Sequence, residues 1–323
     1  MLNVRITQLD GGLPNIALMK LAHWHKAKGD YVNVTRQIEA DLFEPKYDRV
    51  YASAIFSFSE ERLQRFMKQW PNAMVGGTGS GNTVTVEDVV GEDYEHYDYS
   101  GWPDFEESIG FTQRGCRLKC KFCVVPNKEG KNRSVNTIAD IWRGEGHPKK
   151  LHLLDNDFFG QAREDWQARI AEIRDGGFRV CLSQGINVRL IDQEAAEALA
   201  TIQYRNTKFN ERQLYTAWDN LRDEKVFFKG VDLLERAGIP PKHLMAYMLV
   251  GYDPLETWER IWQRFNKMVA LGIKPYPMVY NARRKDLKHF QRWVVTGLYR
   301  AVPFEEYKPW QDYNSGLLET AAA

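Results

Sequence analysis

The sequence predicts an α/β chain in two parts: a small open parallel sheet over residues 1–81, then a partial (β/α)6 TIM-type barrel over residues 108–281. Three observations predict it. Strand-like and helix-like stretches alternate through both parts, the pattern of βαβ units and parallel sheets. The alternation breaks at residues 82–107, which carry nine Asp or Glu and no Lys or Arg. The second part then holds six strand-like runs with amphipathic helical runs between them, several stopping at glycines.

In the first part, residues 3–9 have strand character and Gly11, Gly12 and Pro14 make a turn. Asn15 is placed to cap a helix over residues 16–27, which Gly29 ends. Strands over residues 31–35 and 49–54, a helix over 60–70 and a strand over 73–75 follow, leading into Gly76-Gly-Thr-Gly-Ser-Gly81. In the acidic stretch, Tyr94, Tyr97, Tyr99 and Trp102 alternate with carboxylates without a period. That many aromatics argue for an ordered connector.

The barrel strands are expected at residues 109–112, 151–154, 178–182, 213–217, 243–250 and 276–280. Helices are expected at 163–174, 193–202, 226–237 and 255–270. In parallel barrels the chemistry sits at the C-terminal ends of the strands. Residues 282–323 complete the chain as a basic helix and tail.

Composition bounds the function. Hydrophobic residues make up 43% of the 323 residues, enough for a packed core, and the net charge of +1 gives no global pull toward polyanions. The longest apolar stretch, near residues 244–250, is far short of the ~20 residues that cross a bilayer, so no membrane role is expected. The N-terminus lacks the apolar core of a secretory signal. Four cysteines, three of them within eight residues, suit a metal better than a disulfide framework. The chain reads as soluble, cytoplasmic and reduced.

Those three are Cys116, Cys120 and Cys123, in the loop after the first barrel strand. Their Cx3Cx2C spacing supplies three thiolates to a [4Fe–4S] cluster that needs four ligands, leaving one iron open. The alternative is a zinc knuckle completed by His96, His147 or Cys181, none of which lies at the short spacing of zinc sites. Cys181, between Val180 and Leu182, reads as a buried, inert thiol.

The loop Arg114-Gly-Cys-Arg-Leu-Lys-Cys-Lys-Phe-Cys123, with an aromatic before its last cysteine, resembles the radical S-adenosylmethionine (radical SAM) superfamily over roughly residues 108–281. The resemblance implies that Cys116, Cys120 and Cys123 ligate the cluster, that SAM chelates the open iron, and that Phe122 packs near the adenine. The family's Gly-Gly-Glu motif after the second strand is replaced by Leu154-Asp-Asn-Asp-Phe158, so Asp155, Asn156 and Asp157 are the candidates for the SAM amino group. Unpaired carboxylates at that place would equally serve as helix caps. Arg189 is placed to pair with the SAM carboxylate. Gln184 and Asn187 would reach the ribose or a substrate, Asp219 the ribose hydroxyls, and Gly251 the adenine. The activity implied is reductive cleavage of SAM and hydrogen abstraction from an unidentified substrate.

Residues 1–80 are similar to a shortened cobalamin-binding domain of the kind that precedes the barrel in some of these enzymes. Relatives bind base-off cobalamin through Asp-x-His-x-x-Gly, but Asp10-Gly-Gly-Leu-Pro-Asn15 lacks the histidine, so cobalamin is not expected. Residues 114–133 carry seven Lys or Arg and one Glu, suited either to an acidic electron donor such as flavodoxin or ferredoxin or to the acidic connector. Residues 281–300 carry six basic groups and Asp286. They read as an amphipathic helix with solvated charges, or as a nucleic-acid contact for an enzyme modifying a base. A non-enzymatic Fe–S or zinc protein is the remaining alternative.

Overall fold

The computed structural model describes residues 1–308 apart from Thr83 and Ala282, so the tail expected after residue 308 lies outside the described residues. By its internal contacts the chain divides into two units. One holds Met1–Phe111 and Val135–Leu151; the other holds Thr112–Ser134 and the chain from His152 onward.

The first unit begins with β1 (Asn3–Gln8), α1 (Ile16–Ala27), β2 (Tyr31–Thr35), β3 (Arg49–Ser53), α2 (Glu60–Gln69) and β4 (Met74–Gly76). The strands form a parallel sheet in the order β2-β1-β3-β4. Central β1 is covered on both faces, so Val4–Gln8 are all buried and the strand shows no in–out alternation. Even Arg5 is buried there, its guanidinium held by Glu44 and by the carbonyls of Gln37 and Glu39. Asn15 caps α1 by accepting from Leu18 N at 3.2 Å. Ala52, Leu63, Phe66 and Val75 form the apolar core between β3, β4 and α2.

The acidic stretch contains a five-residue helix, α3 (Val86–Val90), opened by a Thr85–Asp88 capping box. It is too short to show a period. The aromatics after it are anchored: Trp102 donates to Gln8 Oε1 at 2.7 Å, and Tyr99 accepts from Ile109 N at 3.0 Å.

Next along the chain come β5 (Ser108–Gly110), β6 (Gln113–Arg114), α4 (Val125–Lys128), β7 (Arg133–Ser134), α5 (Ile138–Ile141) and β8 (Lys150–Leu153). Of these, β5 and α5 belong to the first unit, β6, α4 and β7 to the second, and β8 spans the boundary.

The rest of the second unit is α6 (Arg163–Asp175), β9 (Arg179–Cys181), α7 (Gln193–Ala200), β10 (Gln203–Tyr204), β11 (Leu214–Ala217), α8 (Glu224–Arg236), β12 (Leu244–Val250), α9 (Trp258–Ala270), β13 (Lys274–Val279) and α10 (Lys285–Val295). In one sheet β10, β9 and β8 are successive neighbours; in another, β11, β12 and β13 run parallel. No closed barrel forms among the described residues. The loop after β9 reaches β11 through Ile186 N and Tyr215 O, 2.7 Å apart. In α10, Leu287, Phe290, Trp293 and Val294 are buried while Lys285, Lys288 and Arg292 are exposed, which is the amphipathic reading of that basic stretch. Among the described residues no helix is long and apolar enough to cross a membrane.

Candidate active site

Strands β6 and β7 pair antiparallel, Gln113 with Ser134 and Arg114 with Arg133, and so close the base of the cysteine loop. At its entrance Gly115 has φ +78°, and a Cβ there would stand 2.6 Å from Lys131 O. Only glycine meets both conditions. Two side chains then fix the loop. Gln113 donates to Gly115 O at 2.7 Å and accepts from Asp157 N at 3.0 Å. Glu129 accepts from Gly115 N at 3.0 Å, Arg114 Nε at 3.0 Å and Asn156 Nδ2 at 2.9 Å. Part of the loop's basic excess is therefore balanced by its own single carboxylate.

Cys116, Cys120 and Cys123 are free, partly exposed thiols lining one cavity of about 240 Å³. Phe122, Asn156, Gln184, Asn187, Arg189 and Asp219 line it too. These side chains come from the cysteine loop and from the segments after β8, β9 and β11, so the cavity opens at the C-terminal ends of the strands. Burial raises the Cys116 and Cys123 pKa values, and the charges of neighbouring cysteines and carboxylates raise them further. Thiols so placed are stabilised as thiolates by a cationic centre.

The three remaining candidates sit elsewhere. Asp155 is buried and accepts from Thr112 N at 2.7 Å, Gln113 N at 3.1 Å and the Thr112 hydroxyl. Asp157 is fully buried and bound by Arg117. Both carboxylates are thus engaged in holding the cysteine loop to the segment after β8, and neither lines the cavity. Gly251 also lies outside its lining; its N–H donates to Glu256 Oε2 at 2.6 Å. Of the Asp155-Asn-Asp157 trio, Asn156 alone lines the cavity.

Arg189 donates to Asp223 Oδ2 at 2.9 Å and lies 3.9 Å from Cys120 Sγ. Asp219 accepts from Leu249 N at 3.0 Å, and burial raises its pKa. Phe122 meets Tyr252 edge-on, with ring centroids 5.3 Å apart, and Tyr252 meets Tyr280 in the same way at 4.9 Å.

Sequence reasoning missed Gln113, Glu129 and the buried Arg264–Glu256 pair, and took Arg117 only as one of the loop's basic residues rather than as the partner of Asp157. Arg264 donates to the carbonyls of Trp218, Asp219 and Leu249, each at 3.0 Å, and so fixes the ends of β11 and β12 beside the cavity. The available signal was an arginine within the apolar stripe Ile261, Phe265, Met268 of α9.

Among the described residues no three His, Cys, Asp or Glu converge as ligands of a single metal ion. A zinc ion needs each sulfur about 2.3 Å away, whereas a cube accepts its thiolates at separate corners. Three free thiols lining one cavity are the kind of donor set that a [4Fe–4S] cluster takes, one to a corner. Cys181 is buried, and its pKa is pushed up to about 12 by burial, which keeps it a thiol.

The chain is 26% identical over 164 residues to tRNA-2-methylthio-N(6)-dimethylallyladenosine synthase of Sulfurihydrogenibium sp. (strain YO3AOP1). The match covers 45% of this chain and 36% of that protein, so the chain spans little more than a third of its relative. No family model and no solved structure matches.

Proposed function

We propose that this chain, for which the curated relative supports the radical SAM superfamily, is an enzyme that reductively cleaves SAM and abstracts hydrogen from a substrate carbon. One observation carries the reading: the three cysteines share a single cavity with Asn156, Gln184, Asn187, Arg189 and Asp219. Its two sheets would form the partial barrel that such a site needs.

Cys116, Cys120 and Cys123 would hold the cluster. Once reduced by an external donor, a cluster held there would supply the single electron needed to cleave the S–C5′ bond of SAM to methionine and a 5′-deoxyadenosyl radical. The chain's residues have the task of binding and orientation. Arg189 offers a fork of donors to the SAM carboxylate, and Asp223 fixes that fork. The Asn156 amide, anchored through Nδ2 to Glu129, presents Oδ1 as acceptor for the SAM ammonium. Asp219 accepts from the ribose hydroxyls, with Gln184 and Asn187 as further polar contacts. Phe122, braced by Tyr252, packs on the adenine. The loop's remaining basic groups dock an acidic electron donor, and cobalamin has no histidine ligand in the first unit's Asp10–Asn15 turn.

A second reading directs the same chemistry at a nucleic-acid base. The curated relative's name, that of a tRNA-modifying synthase, favours it. Sulfur insertion is not part of the proposal, because Cys181 is the one cysteine left in this chain and it is buried. The test of both readings is electron paramagnetic resonance on anaerobically reconstituted, dithionite-reduced protein. SAM should perturb the cluster signal in the wild type, and much less in Arg189→Gln. An unperturbed signal at saturating SAM contradicts the proposal.

A further inference from the structure

The ends of the second unit's strands remote from the cavity carry a group of cations that the reaction does not use. Arg179 opens β9, Arg205 follows β10, Arg212 precedes β11, Lys242 and His243 precede β12, and Lys274 opens β13. Tyr204 joins them: its hydroxyl and His243 Nδ1 are 2.8 Å apart, Arg212 stands 5.8 Å over its ring, and its carbonyl accepts from Arg205 at 2.9 Å. Gln203 of β10 pairs with Arg179, and Met245 of β12 with Lys274; Arg205 stands one residue beyond the short β10–β9 pairing, with Arg179 and Arg212 as its charged neighbours. Arg179, Arg212 and Lys242 are exposed; Arg205, His243 and Lys274 are half-buried. Among the described residues the cluster's one close carboxylate is Glu211, 3.5 Å from Lys274.

Packing like charges with a single close counter-charge opposes folding, and here they depress one another's proton affinity: Arg205 and His243 are both lowered by burial and by their cationic neighbours. Neighbouring strands place these groups in steps of about 5 Å. The aromatic ring that these cations surround, Tyr204, is buried. Charge outweighs apolar surface at this edge, where Leu271, just before β13, is an exposed large hydrophobic side chain. Protein partners depend on an apolar centre, whereas nucleic-acid interfaces are polar and strongly positive. An electron donor is also poorly served, since the seven residues of β12 set this edge roughly 20 Å from the cysteine end.

We infer that Arg179, Arg205, Arg212, Lys242 and Lys274 form a docking surface for the phosphate backbone of RNA, remote from the reacting site. For its occupant this rests on the nucleic-acid reading above. Backbone contacts of this kind position a polynucleotide without reading its sequence.

The test is fluorescence anisotropy of the full chain with a labelled, mixed-sequence single-stranded RNA 20-mer, from 50 to 200 mM salt. Binding should weaken steeply with salt. The Arg179→Gln/Arg212→Gln/Lys242→Gln variant should lose about two units of the log–log salt slope, at about 0.7 per phosphate contact, and at least tenfold in affinity at 50 mM. Lys285→Gln/Lys288→Gln/Arg292→Gln on α10 should bind as the wild type does. No RNA binding at 50 mM salt, an unchanged slope in the first variant, or displacement of the RNA by poly-glutamate at equal charge overturns the inference. SAM cleavage assayed without RNA separates the two readings: the patch variant should retain it, and Cys120→Ala should lose it while still binding RNA.

Discussion

Arg117 grips Asp157 through two bonds of its guanidinium, Nε to Oδ2 at 2.8 Å and Nη2 to Oδ1 at 3.0 Å. The Arg117 backbone N–H adds a third bond to Oδ2 at 3.1 Å. Arg117 follows Cys116 directly, so this pair fixes the first thiol against the segment after β8. Asp157 is fully buried, and removing its cation leaves a buried charge unpaired. Because the Arg117 side chain is 36% exposed, the loss on Arg117→Gln is set low, at about 2 kcal/mol. Denaturant unfolding checks this, and the variant should also hold less iron per chain after reconstitution. Unchanged stability together with weakened SAM binding in Asp157→Asn would return Asp157 to the SAM-binding set.

Asp155 makes a pH-dependent prediction. Burial pushes its carboxyl up to about 7, against the donors from Thr112 and Gln113 that lower it. The unfolded value is about 3.9, so between the two the native state holds the extra proton. Stability from this group is present at low pH, falls as pH rises from about 4 to about 7, and levels off above. Asp155→Asn keeps an oxygen for Thr112 N and Gln113 N, so it should fold and flatten that slope. Asp155→Ala leaves both N–H groups unpaired and should cost about 2–4 kcal/mol. Melting curves from pH 4 to 8 decide, and a slope retained in the Asn variant refutes the assignment.

Gly115→Ala tests the entrance to the cysteine loop. The new Cβ would collide with Lys131 O, on a backbone conformation that alanine resists. A loss of about 2 kcal/mol or more is expected, with poor cluster retention. Normal iron content and stability would show that the loop does not depend on this turn.

Arg189→Lys separates fork geometry from charge. A lysine keeps the cation but not the paired donors, so SAM affinity should fall roughly tenfold, about 1.4 kcal/mol. Iron content should not change. Equal SAM affinity in the two proteins, measured by equilibrium dialysis, would remove Arg189 from the carboxylate site.

Much of the fold was legible because hydrophobic period and glycine stops are local signals. The helices expected at 163–174 and 193–202 form as Arg163–Asp175 and Gln193–Ala200, and the strand expected at 243–250 forms as Leu244–Val250. Two-residue elements such as β6, β7 and β10 carry no such period; distant pairing alone defines them. That the cysteine loop and the segment after β9 would come to one cavity was readable from order along the chain; the roles of their residues are proposals. The division of labour in Asp155-Asn-Asp157 was not readable. It depends on Thr112, Gln113, Arg117 and Glu129 coming back against that segment, a tertiary fact that engages Asp155 and Asp157 in hydrogen bonds and leaves Asn156 at the cavity.

The most direct test is anaerobic reconstitution followed by dithionite and SAM, with chromatographic detection of 5′-deoxyadenosine and methionine. The wild type should bind about four irons per chain and form both products, and Cys120→Ala should form neither. A wild type that holds mononuclear zinc or makes no 5′-deoxyadenosine, or a Cys120→Ala variant that still does, contradicts the account.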